Sequence, residues 1–133
     1  MKYVIDTHAL IWFLEGNSRL GASAKTILAD SNSQLILPAI ALSEAVWIVE
    51  RARTSIPSVS DLLNAINADP RIVIYPLDKT IIEQSISLLA ITEMHDRLIV
   101  ATAMSLKSRG EKTALLTCDR NITASGLVNL IWQ

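Results

Sequence analysis

What this chain has little of narrows its chemistry first. Cysteine occurs once, at Cys118, and histidine twice, at His8 and His95. An internal disulfide is therefore impossible, and a zinc site built on thiolates and imidazoles is poorly supplied. Any metal has to be held by oxygen. A long hydrophobic run is missing as well: the stretch Leu35 to Val49 is broken by Pro38, Ser43 and Glu44, short of the roughly 18 clean residues that a spanning helix needs. Met1-Lys2-Tyr3-Val4-Ile5-Asp6 enters a strand pattern at once, without the apolar region and cleavage site of a signal peptide, so a cytoplasmic protein is expected. Neither sign of charge is in excess. With 12 Lys and Arg against 13 Asp and Glu, the formal net charge is −1, so any contact with a polyanion has to rest on a local patch of cations.

What is present is apolar: 50% of the 133 residues are hydrophobic, enough for a filled core and some apolar surface besides. That length fits one domain, residues 1–133. Strand patterns at Tyr3–Ile5, Leu35–Leu37, Ile72–Tyr75, Ala114–Leu116 and Val128–Trp132 alternate with helical ones. The helices are expected over Ala9–Leu14, Ser23–Ala29, Ala39–Arg53, from Ser60 toward Asp69, from an Asp78 cap through Leu89, over His95–Lys107 and at Asn121–Gly126. Such alternation predicts an α/β fold with a central, mostly parallel five-stranded sheet and helices on both faces.

In a parallel sheet the carboxyl ends of the strands are where ligands bind. Asp6 ends the first strand pattern and Asp119 follows the fourth. Glu44 interrupts the apolar stretch of a long helix, and Asp96 opens another. Each has an ordinary reading too: Asp6 and Asp96 as helix caps, Asp119 as a turn residue, Glu44 as part of an exposed stripe. Asp78 also follows a strand and is read as a cap.

Taken jointly, the segments Tyr-Val-Ile-Asp-Thr-His-Ala-Leu-Ile-Trp (Tyr3 to Trp12), Leu-Ser-Glu (Leu42 to Glu44), His-Asp-Arg-Leu-Ile-Val-Ala-Thr-Ala (His95 to Ala103) and Thr-Cys-Asp-Arg-Asn-Ile (Thr117 to Ile122) resemble the PIN domain. The Asp-Thr-His opening and the closing Ser-Gly-Leu-Val-Asn-Leu-Ile-Trp (Ser125 to Trp132) are similar to the VapC-type toxins within that family. The resemblance implies a three-layer α/β/α fold and a ribonuclease that is the toxin of a toxin–antitoxin pair. It implies a metal-binding catalytic quartet of Asp6, Glu44, Asp96 and Asp119, with Thr7, Thr117 and Asn121 as supporting residues. Asp6 and Asp96 are expected as direct ligands, Glu44 and Asp119 as ligands directly or through water.

The chemistry agrees with this resemblance. Phosphodiester hydrolysis needs an activated water and charge neutralisation, which Mg²⁺ or Mn²⁺ held by carboxylates supplies. Arg97, Arg120, Lys107 and Arg109 lie near the motifs as candidate phosphate contacts, the last two equally readable as solvated helix-end charges. His8 and His95 lack a Ser or Cys partner and are read as structural. Trp12, Trp47 and Trp132 are read as core or interface aromatics, and Cys118 as inert. The expected partners are RNA, a small antitoxin whose arginine forks onto the acids, and a second copy in a homodimer, with the Ala39–Arg53 helix and Trp47 as one candidate surface. Two rivals stand beside this reading. A haloacid-dehalogenase-like phosphatase would need an Asp where His8 stands, and a PIN-fold binding module would carry the fold without activity.

Overall fold

The computed structural model describes all 133 residues. The first three strands are β1 (Lys2–Ile5), β2 (Gln34–Pro38) and β3 (Ile72–Tyr75), and the last two are β4 (Thr113–Leu116) and β5 (Leu130–Ile131). They form one sheet in the order β3-β2-β1-β4-β5, and every ladder in it is parallel. The expected sheet was mostly parallel; no antiparallel strand joins it. The central strands are apolar on both faces because both faces are covered: Val4, Ile5, Leu35, Leu37, Leu115 and Leu116 are almost fully buried.

The crossovers are α1 (Thr7–Glu15) and α2 (Ala22–Ala29), then α3 (Ala39–Glu50) and α4 (Val59–Asn67), then α5 (Lys79–Ile86) and α6 (Met94–Ser108), with α7 (Arg120–Ser125) between β4 and β5. A continuous cluster of 28 buried apolar residues joins helices to sheet. No helix is long and apolar enough to cross a membrane.

α5 stops at Ile86, short of the expected Leu89, and three other boundaries differ from expectation for local reasons. α1 begins at Thr7 because Asp6 caps it. α3 stops at Glu50 rather than Arg53, since Ala52 adopts φ +52, a left-handed conformation that ends the helix and puts Arg51 and Arg53 on a turn. β5 shrinks to Leu130–Ile131, because only Leu115 and Leu116 of β4 are there to pair with it. The chain end then folds over α2: Ala24 N–H donates to the Trp132 carbonyl at 3.1 Å, and Gly21 lies so close that a Cβ there would stand 2.1 Å from that oxygen.

The strand order places the site. From β1 the chain steps outward to β2 and β3, then returns to β4 on the other side of β1. This reversal opens a crevice beyond the carboxyl ends of β1 and β4, with nothing in the sheet to close it.

Candidate functional site

β1 and β4 end in register, with Ile5 beside Leu116. The residues that follow, Asp6 and Thr117, are therefore neighbours at the switch point. Asp6 N–H donates to the Leu116 carbonyl at 3.2 Å, and Asp6 is buried. Both of its carboxylate oxygens are held: Thr7 N–H donates to Oδ1 at 2.7 Å, and the Thr117 hydroxyl donates to Oδ2. Burial still pushes the Asp6 carboxyl above its ordinary 3.8, with Glu44 adding to the rise while Thr117, Thr7 and His8 oppose it. Thr117 Oγ1 also accepts from the Asp119 N–H at 3.1 Å, so one hydroxyl ties the two strand-end acids together. Asp119 is in turn fixed as the cap of α7, its Oδ1 accepting from the N–H groups of Asn121 and Ile122.

Glu44 arrives from α3, half-buried, and Asp96 from the first turn of α6. Asp96 was also readable as the cap of its helix. The cap is Glu93 instead, whose Oε2 accepts the Asp96 N–H at 2.9 Å, so the Asp96 carboxylate has no capping duty. The four acids line one cavity of about 330 Å³, which also takes in Glu93, Thr117, Cys118 and His8. Five carboxylates and no lysine or arginine make up its charged wall. The consequence is concentrated on Asp96, which is pushed from 3.8 up to about 7, first by burial and then by the charges of Asp119, Asp6, Glu93 and Glu44.

Such a wall suits a hard divalent cation, whose ligands are oxygens and whose charge would offset the crowding seen at Asp96. The side chains are not drawn into a ready-made cage, since no three acidic, histidine or cysteine groups stand close enough to enclose an ion. Like charges carried on separate elements, with Asp6 and Asp119 fixed by their own hydrogen bonds, account for that spacing.

Other expectations resolve individually. Thr7 is fully buried next to Asp6, and its Oγ1 is the one buried side-chain polar atom without a partner. Asn121 contributes its backbone N–H to Asp119, while its side chain is exposed. Arg97 donates Nε to the Ile91 carbonyl and is structural. Arg120 is exposed beside Asp119. Lys107 lies eleven residues along α6 from Asp96, roughly 16 Å away at the helical rise, so it and Arg109 are remote solvated charges. His95 pairs through Nδ1 with Glu93, which holds the imidazole above its ordinary 6.5. Burial pushes the Cys118 thiol up, with Asp6 and Asp119 adding to it, so it stays protonated and unreactive. Glu93 was the residue that sequence reasoning missed. Its signal is an acid three residues before Asp96, an arrangement in which a side chain reaches the amide of the third helical residue.

The comparisons with known proteins come in the same direction. The family model described as the PIN domain matches residues 3–125. The chain belongs to the PIN-domain family. The PIN family consists of nucleases that generally use divalent metal ions. Among solved structures, this PIN domain is similar to VapBC2 from Rickettsia felis bound to a promoter DNA fragment, with a TM-score of 0.72 at 16% identity over 100% of both chains. It is similar also to VapC20 from Mycobacterium tuberculosis, described as a toxin that cleaves the sarcin–ricin loop, with a TM-score of 0.69 at 17% identity over 98% of this chain and 99% of that one. A toxin–antitoxin complex from Klebsiella pneumoniae gives 0.67 at 21% identity over 97% and 95%. No curated protein gives a significant sequence match. At these identities the structural likeness establishes a shared fold for the PIN domain.

Proposed function

We propose that this chain is a metal-dependent ribonuclease acting as the toxin of a toxin–antitoxin pair. The observation that carries the reading is the convergence of Asp6, Glu44, Asp96 and Asp119, from four separate elements, on one cavity with no lysine or arginine in its wall. Bound among these carboxylates, Mg²⁺ or Mn²⁺ would activate water and offset the charge developing on the phosphate.

The chain's own residues do the rest. Thr117 and Thr7 fix both oxygens of Asp6, so its carboxylate has one orientation. Asp119 is locked by α7 and by Thr117. In this reading Asp6 and Asp96 would hold the ion directly, while Glu44 and Asp119 would bind it directly or through water and help orient the attacking water.

An acidic cavity of this kind is also a receptor for arginine, whose guanidinium forks onto carboxylates in paired hydrogen bonds. A small antitoxin that inserts one arginine there would inhibit by displacing the cation. The toxin–antitoxin assignments of the structurally similar proteins support this part of the reading.

The test is cleavage of total cellular RNA by the purified chain, with each metal and with chelator. Cleavage should stop in chelator, return with Mg²⁺ or Mn²⁺, and be abolished by Asp6→Asn. Activity that persists in excess chelator sinks the metal mechanism. A folded, metal-supplied chain that cuts no RNA would instead leave a PIN-fold binding module.

A further inference from the structure

The acidic cavity opens into a second, larger hollow of about 610 Å³, and His8, Trp12 and Glu44 line both. The character of the wall changes along this path. Beyond Glu44 the lining includes Arg19, Trp47, Arg53 and the polar residues Asn17, Thr54 and Ser55. We propose that this hollow is the track for single-stranded RNA leading into the acidic cavity, with Trp47 as a base-stacking platform and Arg19 and Arg53 as phosphate contacts. The proposal rests on the ribonuclease reading above and names where its substrate lies.

Cations are stacked on aromatic rings on both sides of the hollow. Arg19 sits 5.7 Å from the Trp12 ring centroid, and Arg51 and Arg53 sit 3.7 and 5.7 Å from that of Trp47. None of these three arginines makes an ion pair. The chain as a whole is slightly negative, so a gathering of unpaired guanidinium groups beside the acidic cavity is the local patch that a polyanion requires. Trp47 remains 45% exposed although most large apolar side chains of α3 are covered. Arg51 covers one face of this indole, and its exposed remainder, with Arg53 beside it, offers π-surface to a base and charge to its phosphates, the combination by which single strands are held without sequence preference.

The turn that presents these groups is built for it. Ala52 at φ +52 ends α3 and sets Arg51 and Arg53 on either side of a left-handed residue, both close to Trp47. The one other acid in the hollow, Glu15, is used to hold this turn: it accepts from the Thr54 hydroxyl at 2.6 Å and from the Ser55 N–H at 3.0 Å. Its charge is thereby directed into the protein rather than toward a phosphate. The expectation that all three tryptophans are core or interface aromatics fits Trp12 and Trp132, packed edge-to-face at 6.0 Å, and is revised for Trp47.

The experiment is fluorescence anisotropy with a short labelled single-stranded RNA of random sequence, using the full chain in chelator and checking on a gel that the RNA stays whole. Trp47→Ala should weaken binding about 5- to 100-fold, and Trp47→Phe should restore most of it. Arg53→Ala and Arg19→Ala should each lower the slope of log affinity against log salt by about 0.7. A duplex of the same composition should compete poorly, because its bases are already stacked. Thermal melting at the parent's temperature excludes misfolding of these exposed positions. Parent-like binding by all the alanine variants overturns the proposal, and if they also cleave normally the ribonuclease reading survives alone. Loss of inhibition by an antitoxin peptide with RNA binding unchanged also overturns it, and makes the hollow a protein-docking surface. Groove-dependent binding by a chain that never cleaves leaves the track standing and removes the nuclease. No binding by the native chain up to about 100 µM, the weak end of non-specific affinity, removes the track.

Discussion

At the scale of single residues, the site sets carboxylates against one another, and stability is what they give up for it. Asp6 is buried with its pKa raised, so replacing its charge by an amide removes repulsion without opening a cavity. Asp6→Asn should therefore abolish cleavage and raise the melting temperature of the metal-free chain, read by activity and by thermal denaturation. A lower melting temperature would mean that the hydrogen bonds from Thr117 and Thr7 outweigh the relief of charge. Gly21 makes the opposite kind of demand. A methyl group there meets the Trp132 backbone at 2.1 and 2.6 Å, contacts that no side-chain rotation relieves. Gly21→Ala should destabilise by about 1–3 kcal/mol, the usual cost of overpacking, with a denaturant midpoint as the measurement.

At the scale of elements, α6 shows what a sequence can and cannot disclose. Its body was legible because Leu98, Ile99, Ala101, Thr102 and Leu106 are buried, and a helix with so much buried surface leaves a strong periodic trace. The central strands β1, β2 and β4 were legible for the same reason, and Asp78 capped α5 as expected, accepting from the Ile81 N–H at 3.0 Å. The start of α6 was not, since Asp96 and Glu93 are both acids and only the backbone geometry decides which one caps. The end of α3 was hidden because a left-handed alanine carries no signal in composition. The candidate quartet was legible only jointly, through its placement after strands and its resemblance to a family. The arginine–tryptophan hollow depends on Ala52 and on the meeting of α1 with α3, so no sequence window contains it. Glu93→Ala should remove the cap of α6 at a cost of about 1 kcal/mol, lowering the melting temperature by roughly 3–5 °C. Glu93→Gln, which keeps an acceptor oxygen, should lose much less. Equal losses from the two variants would show that the charge of Glu93, paired with His95, matters more than its bond to the Asp96 amide.

At the scale of the whole molecule, the raised groups set how stability follows pH. Asp96 titrates at about 7 in the fold against 3.8 in the unfolded chain, so the folded state holds a proton that the unfolded state has released. That contribution is complete below pH 4 and is lost as pH rises toward 7. His95, raised by Glu93, works in the same direction, whereas the lowered groups Glu15, Asp69 and Glu93 act only below their ordinary values of 3.8 to 4.5. The metal-free chain should accordingly melt at a higher temperature at pH 5 than at pH 8, and Mg²⁺ or Mn²⁺ should narrow the difference. Assembly is the other property of the whole. Of the ten large apolar side chains that stay exposed, seven fall between Val73 and Met94. Five of them cluster: Val73 and Ile74 on the edge strand β3, Ile82 and Ile86 one turn apart on α5, and Leu89 just beyond it. An edge strand with unpaired backbone groups beside exposed isoleucine and leucine is a surface that soluble proteins cover. α3, the surface suggested by the sequence, buries Ala41, Ala45 and Val49 and leaves Trp47 as its one exposed large apolar side chain. The expected homodimer is therefore best formed through β3 and α5, where a stable contact would bury about 800 Å² on each copy. Sedimentation of the native chain should report a dimer, and Ile86→Glu combined with Leu89→Glu should yield a folded monomer at the same concentration. Dimers unaffected by that pair would place the interface elsewhere, and a native chain that stays monomeric at high micromolar concentration would remove it.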